Sequence, residues 1–437
     1  MAFSNIMDSN SYRSGSGASA QTEPMIAARE RLLGPASRLF YEQPVHLVRG
    51  AGAHLYDPEG NRYLDAYNNV VSVGHCEPRV VEAVTRQMST LNTHTRYLHR
   101  GILDYSERLL ATMPAGLDQV MFACTGSEAN DLALRVAGMY TGAAGVIVTS
   151  DAYHGNTATV TAISPSLGGA TTLGPNVRTV PAPDSYRVPA GELAGRLAAD
   201  VARAADDLEA AGYGLSALVL DTIFSSDGVY ATPDVLGPAV AEARRRGGVF
   251  LADEVQPGFA RTGDAMWGFQ RHGVVPDLVT MGKPMGNGLP VAAMAGRAEV
   301  IAPFATGVPY FNTFAGNPVS MAAAAAVLDI LDADGLREHA RDVGAALRAE
   351  LAGIRDPRIG DVRGAGLYLG VEIVSDPHAK TPDRDMARHL VNAMRRHRVL
   401  ISVCGSAGHV LKIRPPLVFS HADVDWFCSA FTEVLAD

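Results

Sequence analysis

Short, continuously apolar runs recur at residues 119–123, 145–149, 217–220, 249–252 and 278–281, with stretches of helical periodicity between them. A strand that is apolar at every position must be covered on both faces, and that is the pattern of parallel strands sandwiched between helices. One intervening stretch, residues 128–139, places Leu132, Val136 and Met139 on one face of a helix. The predicted fold class is therefore α/β, with a mainly parallel central sheet.

The last third reads differently. An Ala/Leu-rich helical region at 317–351 is followed by β-like pieces at 359–363, 367–373, 399–402 and 410–413, then a closing helix at 422–435. These make a smaller α+β domain. Two short β pieces at 54–56 and 63–65, separated by the turn residues Asp57-Pro58-Glu59-Gly60-Asn61, are expected to join it. Residues 1–20 are rich in Ser, Gly and Asn and read as a flexible tail. The expected organisation is a tail at 1–24, an N-terminal segment joining the small domain at 25–74, a large domain at 75–320, and the rest of the small domain at 321–437.

Composition narrows the chemistry. A chain of 437 residues exceeds one simple core. A net charge of −9 without a basic cluster argues against nucleic acid and anionic membranes as partners. Cys76, Cys124, Cys404 and Cys428 are far apart and lack metal-ligand spacing, so free thiols, no metal site and a cytoplasmic location are expected.

Two runs end in polar residues that belong together. Asp253-Glu254-Val255-Gln256 follows one, and Gly282-Lys283-Pro284-Met285-Gly286-Asn287-Gly288 follows the next. In parallel strands both side chains emerge at the carboxyl edge of the sheet, where α/β proteins bind ligands. Burial lowers a lysine's pKa and frees its amine as a nucleophile, while a buried carboxylate there needs a cationic partner. Pyridoxal phosphate uses both groups, a lysine for a Schiff base and an acid to keep its pyridine nitrogen protonated.

Cys124-Thr125-Gly126-Ser127-Glu128-Ala129-Asn130 stands between a strand and a helix, where free backbone N–H groups suit a phosphate; a plainly capped helix start has the same look. Tyr153, in Ala152-Tyr153-His154-Gly155-Asn156-Thr157, could stack on a planar ring or fill a core. Neither a dinucleotide fingerprint nor a P-loop is present, since Asp277 stands where the P-loop needs glycine.

In this order, together with Thr313-Phe314-Ala315-Gly316-Asn317-Pro318, the pieces resemble the class III aminotransferases, a branch of the fold-type I pyridoxal-phosphate enzymes, over most of residues 47–434. The wording of Asn68-Asn69-Val70, Gly74-His75-Cys76, Leu91-Asn92-Thr93 and Leu411-Lys412-Ile413-Arg414-Pro415-Pro416 is similar to alanine–glyoxylate aminotransferase-like members and ethanolamine-phosphate phospho-lyases. The resemblance implies that Lys283 forms the Schiff base with pyridoxal 5'-phosphate and moves the proton, and that Asp253 pairs with the ring nitrogen. It implies that Tyr153 and Val255 pack on the ring, Gln256 bonds its phenolic oxygen, and Gly126 and Ser127 hold the phosphate, with His154 beside them. Thr313 would reach the phosphate of a neighbouring subunit, so a homodimer or higher homo-oligomer with shared sites is implied.

Substrate residues are less defined. Asp221-Thr222 stands where many members have Glu-Pro, and the loop at 402–409 has no arginine. Lys412 and Arg414 are the nearby cations, either to receive a substrate anion or to cover the small domain's surface. Tyr67, Leu289, Ala315 and the loop near Leu98 are expected to set the pocket's width. The implied activity is amino transfer from an amine or amino acid to a keto acid of the pyruvate or glyoxylate class. The alternative is a phospho-lyase acting on a phosphorylated amine such as ethanolamine phosphate, against which stands the lack of an obvious cationic pair for a second anion.

Overall fold

The computed structural model describes residues 5–13, 19, 21–169 and 171–436. Three short strands, β1 (Arg49–Ala51), β2 (His54–Tyr56) and β3 (Arg62–Asp65), open an antiparallel sheet. The central sheet follows: β4 (Gln119–Ala123), β5 (Gly145–Thr149), β6 (Val177–Val180), β7 (Leu215–Asp221), β8 (Val249–Asp253), β9 (Leu278–Met281) and β10 (Ala292–Gly296). The C-terminal part adds β11 (Ile359–Ala365), β12 (Tyr368–Asp376), β13 (Thr381–Pro382), β14 (Val399–Leu400), β15 (Ser402–Cys404) and β16 (Val410–Ile413).

The central order is β4-β10-β9-β8-β7-β5-β6. From β9 to β6 every neighbour is parallel, and β10 alone runs antiparallel, against both β4 and β9. Strands β5, β8 and β9 are buried at every residue, because helices lie on both faces. The helix Gly126–Thr141 buries Leu132 and Val136, but Met139 is 42% exposed, so the apolar face expected to include it is narrower. Strands β6 and β10 lie outside the five expected runs. Val177–Val180 is short and alternates Val-Arg-Thr-Val, and Ala-Ala-Met-Ala-Gly is poor in β-formers.

The smaller sheet is ordered β11-β12-β16-β15. Strand β14 instead pairs in parallel with β3, closing the N-terminal sheet with residues near the chain's far end. Each sheet thus has long-range partners, and one apolar core runs from Tyr41 to Leu435.

Residues 5–13, assigned by composition to the tail, are folded against the body. Ile6–Asp8 form a 3-10 turn, Ser11 bridges to Phe40, and Ser9, Asn10 and Ser11 are buried. Residues 1–4, 14–18 and 20 of that expected tail lie outside the described residues.

Candidate active site

Register places three polar residues abreast at the carboxyl edge of the central sheet. Asp221 pairs with Asp253 across β7 and β8, and Asp253 pairs with Thr280 across β8 and β9. Lys283 opens the 3-10 turn Lys283–Gly286 just beyond β9. It lines a cavity of 380 Å³ with Gly126, Ser127, Tyr153, His154, Asp221, Asp253, Val255 and Gln256. Nine residues chosen from sequence are therefore brought to one place. A larger groove of 640 Å³ opens beside Arg108 and Glu338, but its lining contains no lysine, histidine or cysteine. The groups suited to chemistry line the smaller cavity.

Asp253 is held from three directions. His154 Nδ1 lies 2.7 Å from Oδ2, Asn130 Nδ2 donates to Oδ2 at 3.0 Å, and the Val255 N–H donates to Oδ1 at 3.1 Å. Asn130 is fixed in turn by donating to His154 O and by accepting from Thr280 Oγ1 at 2.5 Å. His154 Nε2 is buried without a partner. The adjacent Glu254 points to the opposite face of the strand end, accepting from Thr222 Oγ1 and from the N–H groups of Gly268 and Phe269. The Asp-Glu pair thus splits into a site residue and a structural one.

Burial pushes the Lys283 ammonium down to about 8; the Arg414 charge adds to this, while Asp253 and Asp221 oppose it. A neutral amine is then accessible near neutral pH, which nucleophilic attack requires. Loading of the cofactor-free protein with an aldehyde cofactor should accelerate as pH rises and level off above about 8. Stopped-flow absorbance across the range from pH 6 to about 10 checks this, since a free lysine would place the midpoint near its ordinary value of about 10.4.

The residues fit a phosphorylated, planar aldehyde. At the start of the helix Gly126–Thr141, Thr125 Oγ1 accepts from Glu128 N, and the Glu128 carboxylate accepts from the N–H groups of Cys124 and Thr125. Gly126 and Ser127, the first residues of this helix, whose N–H groups lack intrahelical acceptors, both line the cavity, as an anion site requires. A Cβ at Gly126 would come 2.9 Å from the Val255 side chain, so only glycine keeps the cradle open. Asn156, not assigned from sequence, joins the cup: its N–H donates to Ser127 Oγ at 3.0 Å.

A second cavity of 360 Å³ meets Lys283 from the other side, lined by Phe40, Tyr41, Tyr67, Asn69 and Arg414 among mostly apolar walls. Arg414 is 7% exposed. Its NH1 donates to Asn69 Oδ1 and, at 2.8 Å, to Gln256 Oε1, while Tyr67 packs over its guanidinium at 4.2 Å. Gln256 Oε1 also accepts from Asn69 Nδ2 and the Tyr368 hydroxyl, and its Nε2 donates to Ser225 Oγ at 2.9 Å. That leaves one N–H of Gln256 for the phenolic oxygen expected of it. Ser225 Oγ donates to Asp221, whose carboxyl is pushed up by burial.

Lys412 on β16 and Arg414 just beyond its end are both buried, so neither covers the surface. Lys412 lines neither cavity: it lies behind Arg414 over the Tyr368 ring, and burial with the Arg414 charge pushes it down to about 7. No carboxylate reaches ion-pair distance of Lys412 among the described residues. Leu289 lines the cofactor cavity as expected, whereas Ala315 is buried and lines neither cavity, and Leu98 is fully exposed. Thr313 is exposed and lies outside both cavities of its own chain.

The roles of Asn69, Asn130, Thr280, Ser225 and Tyr368 were not legible in sequence. Asn69 stood in a quoted motif without a function. Asn130, Thr280 and Tyr368 are single polar residues whose partners are far away in the chain, and Ser225 joins Asp221 nearby to the distant Gln256.

Comparison with known proteins gives four matches of note. The family model described as aminotransferase class-III matches residues 39–435. The chain is 40% identical to an alanine–glyoxylate aminotransferase 2-like protein of Drosophila melanogaster, over 94% of this chain and 86% of that one. It is 36% identical to ethanolamine-phosphate phospho-lyase homolog 1 of Caenorhabditis elegans, over 94% and 93%. The fold is similar to that of a phospholyase from Arthrobacter solved in complex with phosphoethanolamine, with a TM-score of 0.91, 41% identity and coverage of 94% and 99%.

Proposed function

The chain belongs to the class III aminotransferases, whose cofactor is pyridoxal 5'-phosphate, and from that membership we propose that it eliminates phosphate from a short amine carrying a phosphate ester. The observation that carries this reading is the fixed state of Arg414. Amino transfer alternates two unlike substrates in one site, so its anion receptor must engage one and yield to the other. Here NH1 is bound by Asn69 and Gln256, and Tyr67 covers the face of the guanidinium. An immobile cation suits one anionic substrate.

Lys412 supports the same reading. Lys412, buried two residues before Arg414 with no acid paired to it, adds to the positive field around a dianion whenever it is protonated. The phosphoethanolamine bound by the 41%-identical phospholyase is a substrate of this class.

When bound, the cofactor supplies the electron sink that makes the proton beside the substrate nitrogen acidic. Lys283 Nζ takes that proton, and the electron pair it leaves forms a carbon–carbon double bond as the carbon–oxygen bond to phosphate breaks. Water then releases the carbon skeleton as an aldehyde, with ammonia. Asp253, held in position by His154 and Asn130, would face the ring nitrogen and keep it protonated. Arg414, with Tyr67 over its guanidinium, holds the anionic end. In a homodimer, Thr313 of each chain is the residue we assign to the neighbouring site's cofactor phosphate.

The second reading is transfer of the amino group to a keto acid, favoured by the name of the Drosophila relative. Mixing the holoenzyme with ethanolamine phosphate and no keto acid separates the two. Elimination predicts many equivalents of inorganic phosphate and acetaldehyde with the yellow absorbance retained. Absorbance lost once per site, no phosphate, and turnover only after a keto acid is added would establish the transferase instead.

A further inference from the structure

One short turn of chain, residues 65–70, encloses Arg414. The Arg414 N–H donates to Ala66 O at 2.9 Å, the Tyr67 ring lies 4.2 Å from its guanidinium, and its NH1 donates to Asn69 Oδ1. Asp65, Tyr67, Asn68, Asn69 and Val70 all line the second cavity with Lys283 and Arg414. The shape of the turn is fixed by Asp65, the last residue of β3. Its Oδ1 accepts from the N–H groups of Tyr67 at 3.1 Å and Asn68 at 2.9 Å, the local bonding by which an aspartate closes a turn. The pattern recurs further along, where Asn68 Oδ1 accepts from the Val70 N–H at 3.0 Å.

Asp65 Oδ2 faces the other way and meets His75 Nε2 at 2.7 Å. His75 is itself held: its N–H donates to Gly52 O at 2.8 Å and its carbonyl accepts from the Gly52 N–H at 3.2 Å. Its side chain packs so close to β1 that a Cβ at Gly50 would come within 2.8 Å of it. A carboxylate that is 2% exposed and engaged by three partners has no freedom to rotate. The bond-making steps at Lys283 make no use of this pair, although Asp65 stands on the wall of the same cavity.

We propose that Asp65, braced by His75, is the positioning residue of the anion receptor. It sets the turn 65–70 that fixes Arg414, and with it the preference for an amine that carries an anion. Asp65 acts through Tyr67 and Asn69, not on the reacting atoms. This rests on reading Arg414 as the receptor of the substrate's anion, and holds for elimination and transfer alike.

The test compares full-length holoenzymes of the wild type, Asp65→Ala, Asp65→Asn and His75→Ala. Two constants are read for each: KM for ethanolamine phosphate, from phosphate release, and Ki for propylamine, a competing amine without an anion. Asp65→Ala releases the turn and should raise KM about tenfold or more, the worth of about one hydrogen bond to a charged group. Its Ki for propylamine and its cofactor absorbance should stay within about twofold of the wild type. Asp65→Asn keeps an oxygen for both N–H groups and an N–H for the His75 ring, so KM should stay within about threefold. His75→Ala loses only the brace and should raise KM by a smaller factor; it carries the test if Asp65→Ala does not fold. A lower melting temperature with KM and Ki both unchanged would show that the pair only supports the fold, overturning the proposal. KM and Ki rising in parallel would overturn it too, since the anion would not be singled out. So would an Asp65→Asn protein as impaired as Asp65→Ala, which would make charge, not geometry, the contribution. If the wild type releases no phosphate from ethanolamine phosphate, the elimination reading fails separately, and KM is read instead for the acidic amine that bleaches the yellow absorbance.

Discussion

Replacing Lys283 by alanine is expected to lower turnover by about 10⁴-fold or more while leaving the chain folded. No other residue lining the cofactor cavity offers an amine, and the two carboxylates that line it are committed. Asp253 is bound by His154, Asn130 and the Val255 N–H, and Asp221 by Ser225 and the Ile223 N–H. Lys283 has no ion-pair partner among the described residues, and burial already disfavours its charge, so its removal does not strand an opposite charge. The folded state should therefore melt no lower than the wild type. Lys283→Arg keeps a cation but no nucleophilic amine, and should lose as much. Turnover within tenfold of the wild type in either variant would take Lys283 out of the chemistry.

Asp253→Asn carries the second large effect, and it is of a different kind. The amide keeps the shape but removes the negative charge facing the ring nitrogen, which should reduce turnover by about 10²–10³-fold. It also turns the three-donor cradle against the new side chain, because Nδ2 of the introduced amide cannot accept from Asn130 or His154. Leaving those buried donors unpaired should reduce the unfolding free energy by about 2–5 kcal/mol. Cofactor affinity should fall with both. Denaturant titration and cofactor release, measured together, separate the electrostatic loss from the structural one. A variant with full stability and full cofactor affinity would show that Asp253 is not the ring's partner.

The sequence revealed the site where chemistry and strand ends coincide. Runs 119–123, 145–149 and 278–281 have the boundaries of β4, β5 and β9, because turn residues or glycines punctuate a continuous apolar stretch. Asp253 and Lys283 could be paired in advance, since parallel strands leave their carboxyl ends on one edge. Legibility stopped at contacts between distant segments. Arg414 and Asn69 are 345 residues apart, and Asn130 and Asp253 are 123 apart. No local pattern marks which asparagine will face which partner. Composition misled at the N-terminus for a related reason: Ser9, Asn10 and Ser11 are polar, yet they are buried by what lies around them rather than by their own hydrophobicity. Strand β10 escaped because alanine and glycine carry no strand signature.

The pairing of β14 with β3 sets an order of events during synthesis. Leu64 and Asp65, just before Tyr67 in the substrate cavity, find their parallel partners at Val399 and Leu400, and Tyr41 finds its acceptor at Ile401 O. A ribosome must translate about nine-tenths of the message before residues 41–65 can be fixed in place. The cofactor strands can assemble earlier, since all lie within residues 119–296. A nascent chain would thus gain a place for the cofactor well before it could grip a substrate. Reactive aldehyde chemistry is then withheld from passing amines until the polypeptide is nearly complete.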